Sequence, residues 1–150
     1  MMPGLESNLL RELDALIREI NTIYEVKFKK YALQKGQFVY LTRICETPGI
    51  NLVELSYQLK IDKTTTTKAV QKLVNAGLVV KQQDASDKRI WHLNPTVNAQ
   101  HVYAEIIAEK NRVFNCCLAG ISRTEIEGMR QLIEKMALNI SHDWHQAARR

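Results

Sequence analysis

The chain has 150 residues, 45% of them hydrophobic and 25% charged, with a formal net charge of +5. That length and apolar content suit one well-buried core, and with no Pro-, Gly- or Ser-rich linker or low-complexity tract the chain reads as one continuous unit. No apolar run approaches the roughly 18 residues of a membrane helix, and Met1-Met2-Pro3-Gly4-Leu5-Glu6 lacks the basic and apolar stretches of a signal peptide, so a cytoplasmic protein with no membrane partner is expected.

From the N-terminus, Leu9, Leu13, Leu16, Ile20 and Ile23 recur at alternating four- and three-residue steps, which predicts a long helix over residues 5 to 29 with a coiled-coil-like seam. A second pattern starts at Asn51, whose spacing to Glu54 is that of a capping box. Leu52, Leu55 and Leu59 continue it at helical spacing until Ile61-Asp62 breaks the run. Asp62 then caps a further helix, its carboxylate accepting free amides at the positive helix end. In that helix Thr66, Val70 and Leu73 face inward, and Gly77 closes it. Two short helices joined by a tight turn form a helix-turn-helix. Leu78-Val79-Val80 and Ile90-Trp91-His92-Leu93 read as two strands of a hairpin, with Asp84-Ala85-Ser86-Asp87-Lys88-Arg89 between them. A helix pair followed at once by a basic hairpin is a winged helix, a fold that usually reads duplex DNA.

Two long amphipathic helices follow. Val102, Ile106 and Val113 mark the first, from Val97 to Ala119, and Asn94 before Pro95 suits its start as a cap ahead of a first-turn proline. The second runs from about Thr124 to Ala147 along Ile126, Met129, Ile133, Met136, Ile140 and Trp144. With the N-terminal helix, these stripes exceed what a helix-turn-helix can cover. A homodimer held by the two ends of the chain is expected, with recognition helices reaching half-sites about one helical turn apart on a palindromic operator.

Charge points to the same surface. Between Lys60 and His92 lie seven Lys or Arg residues and three acids, so most of the net positive charge is on the winged helix-turn-helix. Such a face attracts a phosphate backbone and binds with strong salt dependence. On the recognition helix the outer positions are Lys63, Thr64, Thr65, Thr67, Lys68, Gln71 and Lys72. A run of four threonines is poor helix material, better explained by short hydroxyls near phosphates or bases and methyl groups near thymine. Lys68 is the foremost candidate for a guanine edge or phosphate, with Lys63 and Lys72 as phosphate contacts.

The segment Leu55-Ser56-Tyr57-Gln58-Leu59-Lys60-Ile61-Asp62, the run from Thr67 to Val79 and the wing together resemble the MarR family of bacterial transcriptional regulators, and the order of flanking helices extends the resemblance over most of the chain. The fold it implies is mainly α with a small β-hairpin wing. Residues of about 34–95 would form the DNA-binding region, and 1–33 and 96–150 the dimerisation region. The family's wing pattern Asp-x-Arg-Asp-x-Arg is met at Asp84, Asp87 and Arg89, but Ser86 stands where the first Arg is expected, which puts that residue's minor-groove contact in question and leaves Lys88 or Arg89 as substitutes. The resemblance also implies an ion pair between Asp62 and Arg89 bracing the wing. Lys60 is a second departure, since many such turns carry Gly, so the turn is either mildly strained or built differently.

Members of the family are typically homodimers regulated by a small molecule, often aromatic or anionic, bound between the dimerisation and DNA-binding regions; Arg18, Tyr24, Lys27 and Arg43 are candidates on charge alone. No resident cofactor or metal is expected. Three cysteines, Cys45, Cys116 and Cys117, cannot all pair and match no zinc spacing, and the His142-Asp143-His145 group reads as terminal surface. Cys116 and Cys117 suit packing better than sensing. Nothing resembles a nucleophile elbow or a phosphate-binding glycine loop, which argues against an enzyme. The rival reading is a winged-helix protein–protein adaptor without DNA binding.

Overall fold

The computed structural model describes residues 1–31, 33 and 36–149. Helix α1 spans Leu9–Phe28 and passes through a 3-10 turn, Lys29–Tyr31, toward α2, Gln37–Glu46. Strand β1 (Ile50–Asn51) leads into α3 (Leu52–Leu59), α4 (Lys63–Asn75), β2 (Val79–Gln83) and β3 (Trp91–Pro95), and the long helices α5 (Val97–Cys117) and α6 (Arg123–Ala148) complete the chain. The sheet order is β1-β3-β2, antiparallel throughout, with Ile50 opposite Leu93 and Lys81 opposite Leu93 on the other side. The expected division at residues 33 and 34 falls on Gln34, which lies outside the described residues, as does Arg150 at the end of the second expected dimerisation segment.

The core lies where α2, α3, α4, α5 and the sheet meet. Leu41, Ile44, Leu55, Leu73, Leu93 and Ile106 are buried completely there, each worth roughly 1.5–3 kcal/mol relative to exposure. Thr66, Val70 and Leu73 form the inward face of α4, as their spacing predicts. Phe28, Phe38 and Tyr24 tie α1 to this core, with ring centroids 5.1 Å apart for Phe28 and Phe38 and 5.5 Å for Tyr24 and Phe38.

Local chemistry sets the element ends. Asn51 caps α3 by accepting from the Glu54 amide at 2.9 Å, while the Glu54 carboxylate accepts the Asn51 amide at 3.2 Å, completing the capping box. Lys60 takes φ 56 and ψ 39, so the turn is built with a left-handed non-glycine residue. Gly77 closes α4 at φ 74, with the Leu78 amide reaching back to the Leu73 carbonyl at 3.0 Å.

Three expectations need correction. The first helix begins at Leu9 rather than near residue 5. The cap of α5 is Thr96, not Asn94: β3 continues through Asn94 and Pro95, paired with Val80 and Val79, and the Thr96 hydroxyl accepts from the Ala99 amide at 3.2 Å. The ladder hydrogen bonds of β2 hold Asn94 in extended conformation, so the helix cannot start there. The wing hairpin is also joined by a third strand, β1, which is too short to show a period of two.

Candidate nucleic-acid interface

The Asp62 carboxylate anchors the start of α4. One oxygen accepts the Thr65 amide at 2.8 Å and the other accepts the Thr65 hydroxyl at 2.7 Å. These bonds, the hydroxyl's first, hold the Asp62 carboxyl below its ordinary pKa. Each oxygen thus has a partner on α4. Arg89 turns to Asp87 instead, two residues earlier in the wing, with Nε and Nη2 donating to its two carboxylate oxygens at 3.0 and 2.9 Å. The expected Asp62–Arg89 pair is therefore not formed: the shorter loop to Asp87 closes a bidentate fork without crossing from wing to helix.

From this anchored start, α4 presents Lys63, Thr64, Thr65, Thr67, Lys68, Gln71 and Lys72 to the exterior, with Thr66 buried beneath them. The threonine hydroxyls are not equivalent. Thr65 donates to Asp62 and Thr67 donates to the Lys63 carbonyl at 2.8 Å, so both are engaged within the helix, whereas Thr64 is exposed and makes no side-chain hydrogen bond among the described residues. Lys63 lines a cleft of about 280 Å³ with Glu54 of α3 and with Arg89, Ile90 and Trp91 of the wing. Lys68 and Lys72 line another, of about 380 Å³, with Gln37 and Tyr40 at the start of α2. Helix and wing thus bring Lys63 and Arg89 to one cleft, while Lys68 and Lys72 lie along the same helix toward α2. Lys88 is exposed at the wing tip.

Asp84 organises that tip. One of its carboxylate oxygens accepts the Ser86 and Asp87 amides, each at 2.9 Å, and the other faces His92 Nε2 at 2.7 Å. These contacts, led by His92, bring the Asp84 carboxyl down to about 2. Ser86, in the place of the expected arginine, contributes its backbone amide to this turn. Sequence reading identified His92 only as a strand residue; its signal was a titratable side chain beside core Leu93 in a strand paired across the wing from Asp84.

The effector candidates separate. Arg18 pairs with Asp14, Arg43 with Glu46, and Tyr24 packs in the aromatic cluster under Lys110, which sits 5.6 Å from its ring centroid. Lys27 lines a cavity of about 430 Å³ between α1 and α5, together with Lys30, Tyr31, Glu105, Glu109 and Arg112. Spacing did not reveal Glu105, Glu109 and Arg112 because α5 brings them there from far along the chain. Burial pushes the Cys45 thiol up to about 11, so it carries little thiolate near neutrality, and Cys116 and Cys117 are exposed free thiols. His142 and His145 bond within α6, to Gln146 and the Ser141 carbonyl. No helix among the described residues is long and apolar enough to cross a membrane.

A three-stranded wing against a helix-turn-helix, flanked by long helices, defines a winged helix-turn-helix transcription regulator. The MarR family model matches residues 33–91. The HTH-type transcriptional regulator YybA of Bacillus subtilis (strain 168) is 33% identical over 138 residues, 92% of each chain. Among solved structures, a MarR protein from Peptoclostridium difficile DA00132 is 49% identical with a TM-score of 0.91, covering 98% of this chain and 96% of that one. A MarR family transcriptional regulator from Listeria monocytogenes, complexed with 26mer DNA, is 34% identical with a TM-score of 0.90 over 99% and 96% of the two chains. The chain belongs to the MarR family.

Proposed function

We propose that the protein is a dimeric, sequence-specific repressor that binds a palindromic operator in duplex DNA and releases it when a small aromatic or anionic effector binds. The observation that carries the DNA-binding reading is the exposed basic face of α4 beside the wing, where Lys63, Lys68 and Lys72 accompany Lys88 and Arg89. Duplex phosphates complement such a face, and the Listeria monocytogenes relative complexed with 26mer DNA supports the choice of ligand. In this reading Thr64, Thr65 and Thr67 lie against the groove, with Thr64 offering a hydroxyl that no other group among the described residues holds, while Asp62, Asp84 and Asp87 fix the helix start and the wing. An effector would enter the cavity between α1 and α5, where Lys30 is paired with Glu105 and Arg112 with Glu109 but Lys27 forms no ion pair among the described residues.

Selection of bound fragments from the source genome, followed by fluorescence anisotropy on the selected duplex, tests the reading. Binding should weaken steeply with salt, and Lys68→Ala should cost about 1–3 kcal/mol if Lys68 meets a base edge, less if it meets phosphate. Fragments without common sequence, or wild-type affinity in Lys68→Ala, would count against it. A protein–protein adaptor would show no salt-sensitive duplex affinity at all.

A further inference from the structure

His92 is the second residue of β3, opposite Asn51 of β1 on one side and Gln82 of β2 on the other. Each ring nitrogen faces an acceptor. Nδ1 lies 2.8 Å from the Gly49 carbonyl oxygen and Nε2 lies 2.7 Å from an Asp84 carboxylate oxygen. A peptide carbonyl has no proton to offer, and Asp84, with a pKa of about 2, is ionised at any physiological pH. Neutral imidazole carries a single N–H and can satisfy only one of these partners, whereas imidazolium satisfies both. The charged groups facing the ring are acids: Asp84 from the wing loop in direct contact and Glu54 from α3 at longer range. Asp84 at the same time holds the Ser86 and Asp87 amides, so the bonds run from the loop before β1, through the ring, to the wing tip.

The geometry points to His92 as a wing-positioning residue whose doubly protonated ring clasps the wing to the base of the helix-turn-helix, making the wing's grip on DNA dependent on protonation. The consequence for DNA rests on the function proposed above; the clasp itself does not. Asp84 first, then the Gly49 carbonyl, raise the imidazole pKa above its ordinary value. A group raised on folding contributes fully below its unfolded pKa, about 6.5 for imidazole, and its contribution is lost as pH rises through the higher folded value. The clasp is therefore complete below about pH 6.5 and is lost as the pH rises through the higher folded value.

Nitrogen-15 NMR of the full chain, from about pH 5.5 to about pH 8.5, reads the ring directly. Both His92 nitrogens should be protonated at the acid end, with a midpoint above that of free imidazole, and the Ser86 and Asp87 amide shifts should follow that midpoint. Asp84→Asn should return the midpoint to the ordinary range. In parallel, anisotropy with a labelled mixed-sequence duplex at fixed salt should show wild-type affinity falling severalfold across the window. His92→Gln should remove that slope, whereas Lys68→Ala should weaken binding while keeping it. A His92 midpoint below about 6.5, wing amides that ignore it, or an unchanged slope in His92→Gln would each overturn the clasp. Absence of duplex binding by the wild type at every pH would instead refute the DNA-binding reading, with the NMR titration still deciding the clasp.

Discussion

Lys60 holds the helix-turn-helix bend in a left-handed conformation that an L-residue adopts at a cost of roughly 1–2 kcal/mol. The turn's own bonds compensate, since the Ile61 amide reaches the Ser56 carbonyl at 3.1 Å, and the Lys60 ammonium lies 4.8 Å from the Trp144 ring centroid on α6. Such a cation–π contact contributes about 0.5–1 kcal/mol at an exposed site. Lys60→Gly relieves the strain but loses that contact and some backbone rigidity, so its unfolding free energy should stay within about 1 kcal/mol of wild type. Lys60→Val keeps the conformation, adds β-branching and loses the contact, and should destabilise by more than about 1 kcal/mol. Urea denaturation of the two variants separates these outcomes; a more stable Val variant would show the strain assignment to be wrong. At the wing, Arg89→Ala should weaken duplex binding with the melting temperature little changed, because the Arg89 side chain is 90% exposed and its partner Asp87 is nearby in the same loop. Asp62→Ala should instead lower the melting temperature through the lost cap. Equal melting losses in both would contradict this division of roles.

Among the elements, Thr96 joins more of the fold than its place between strand and helix suggests. Its hydroxyl accepts from Ala99 at the start of α5 and donates to the Gly77 carbonyl at 2.9 Å, and its amide bonds the Leu78 carbonyl at 3.0 Å. Thr96→Ala removes a cap and a tie to the end of α4, for a loss of about 1–2 kcal/mol in thermal or chemical unfolding, whereas Thr96→Ser should retain most of it. Asn94→Ala, by contrast, should leave helix capping intact. The sequence misled at this point because Asn-Pro is an ordinary helix opening, and only the pairing of β3 with β2 excludes it. The capping box at Asn51, the inward face of α4 and the cap at Asp62 were legible because each depends on residues within a few positions of one another. Helix α2 was missed in the sequence although Phe38, Leu41 and Ile44 share a helical face, and its two-residue neighbour β1 could not be found without its partner strand. The Asp87–Arg89 fork and the His92 contacts were beyond reach for a different reason: several acids stood within range of each cation, and spacing alone does not choose among them.

For the whole molecule, α6 runs 26 residues without one buried side chain in the single chain, while α1 buries only Phe28 at its end. Leu10, Ile17, Leu132, Ile133, Leu138 and Ile140 are each more than half exposed. Apolar side chains exposed to that extent along two long helices are a feature of chains that bury them against a partner. In the proposed dimer the second copy would cover these side chains by pairing α1 and α6 across a two-fold axis, with the two α4 helices reaching half-sites about one helical turn apart. Light scattering at micromolar concentration should then report about twice the 17.3 kDa chain mass. Ile133→Glu with Ile140→Glu places charge in the centre of that surface without touching the core, so it should give a helical monomer by circular dichroism. Duplex affinity in that variant should fall far more than in any single wing variant, because a lone recognition helix loses the second half-site altogether. A monomeric wild type that still bound a palindromic duplex tightly would show that the exposed stripes serve some other contact.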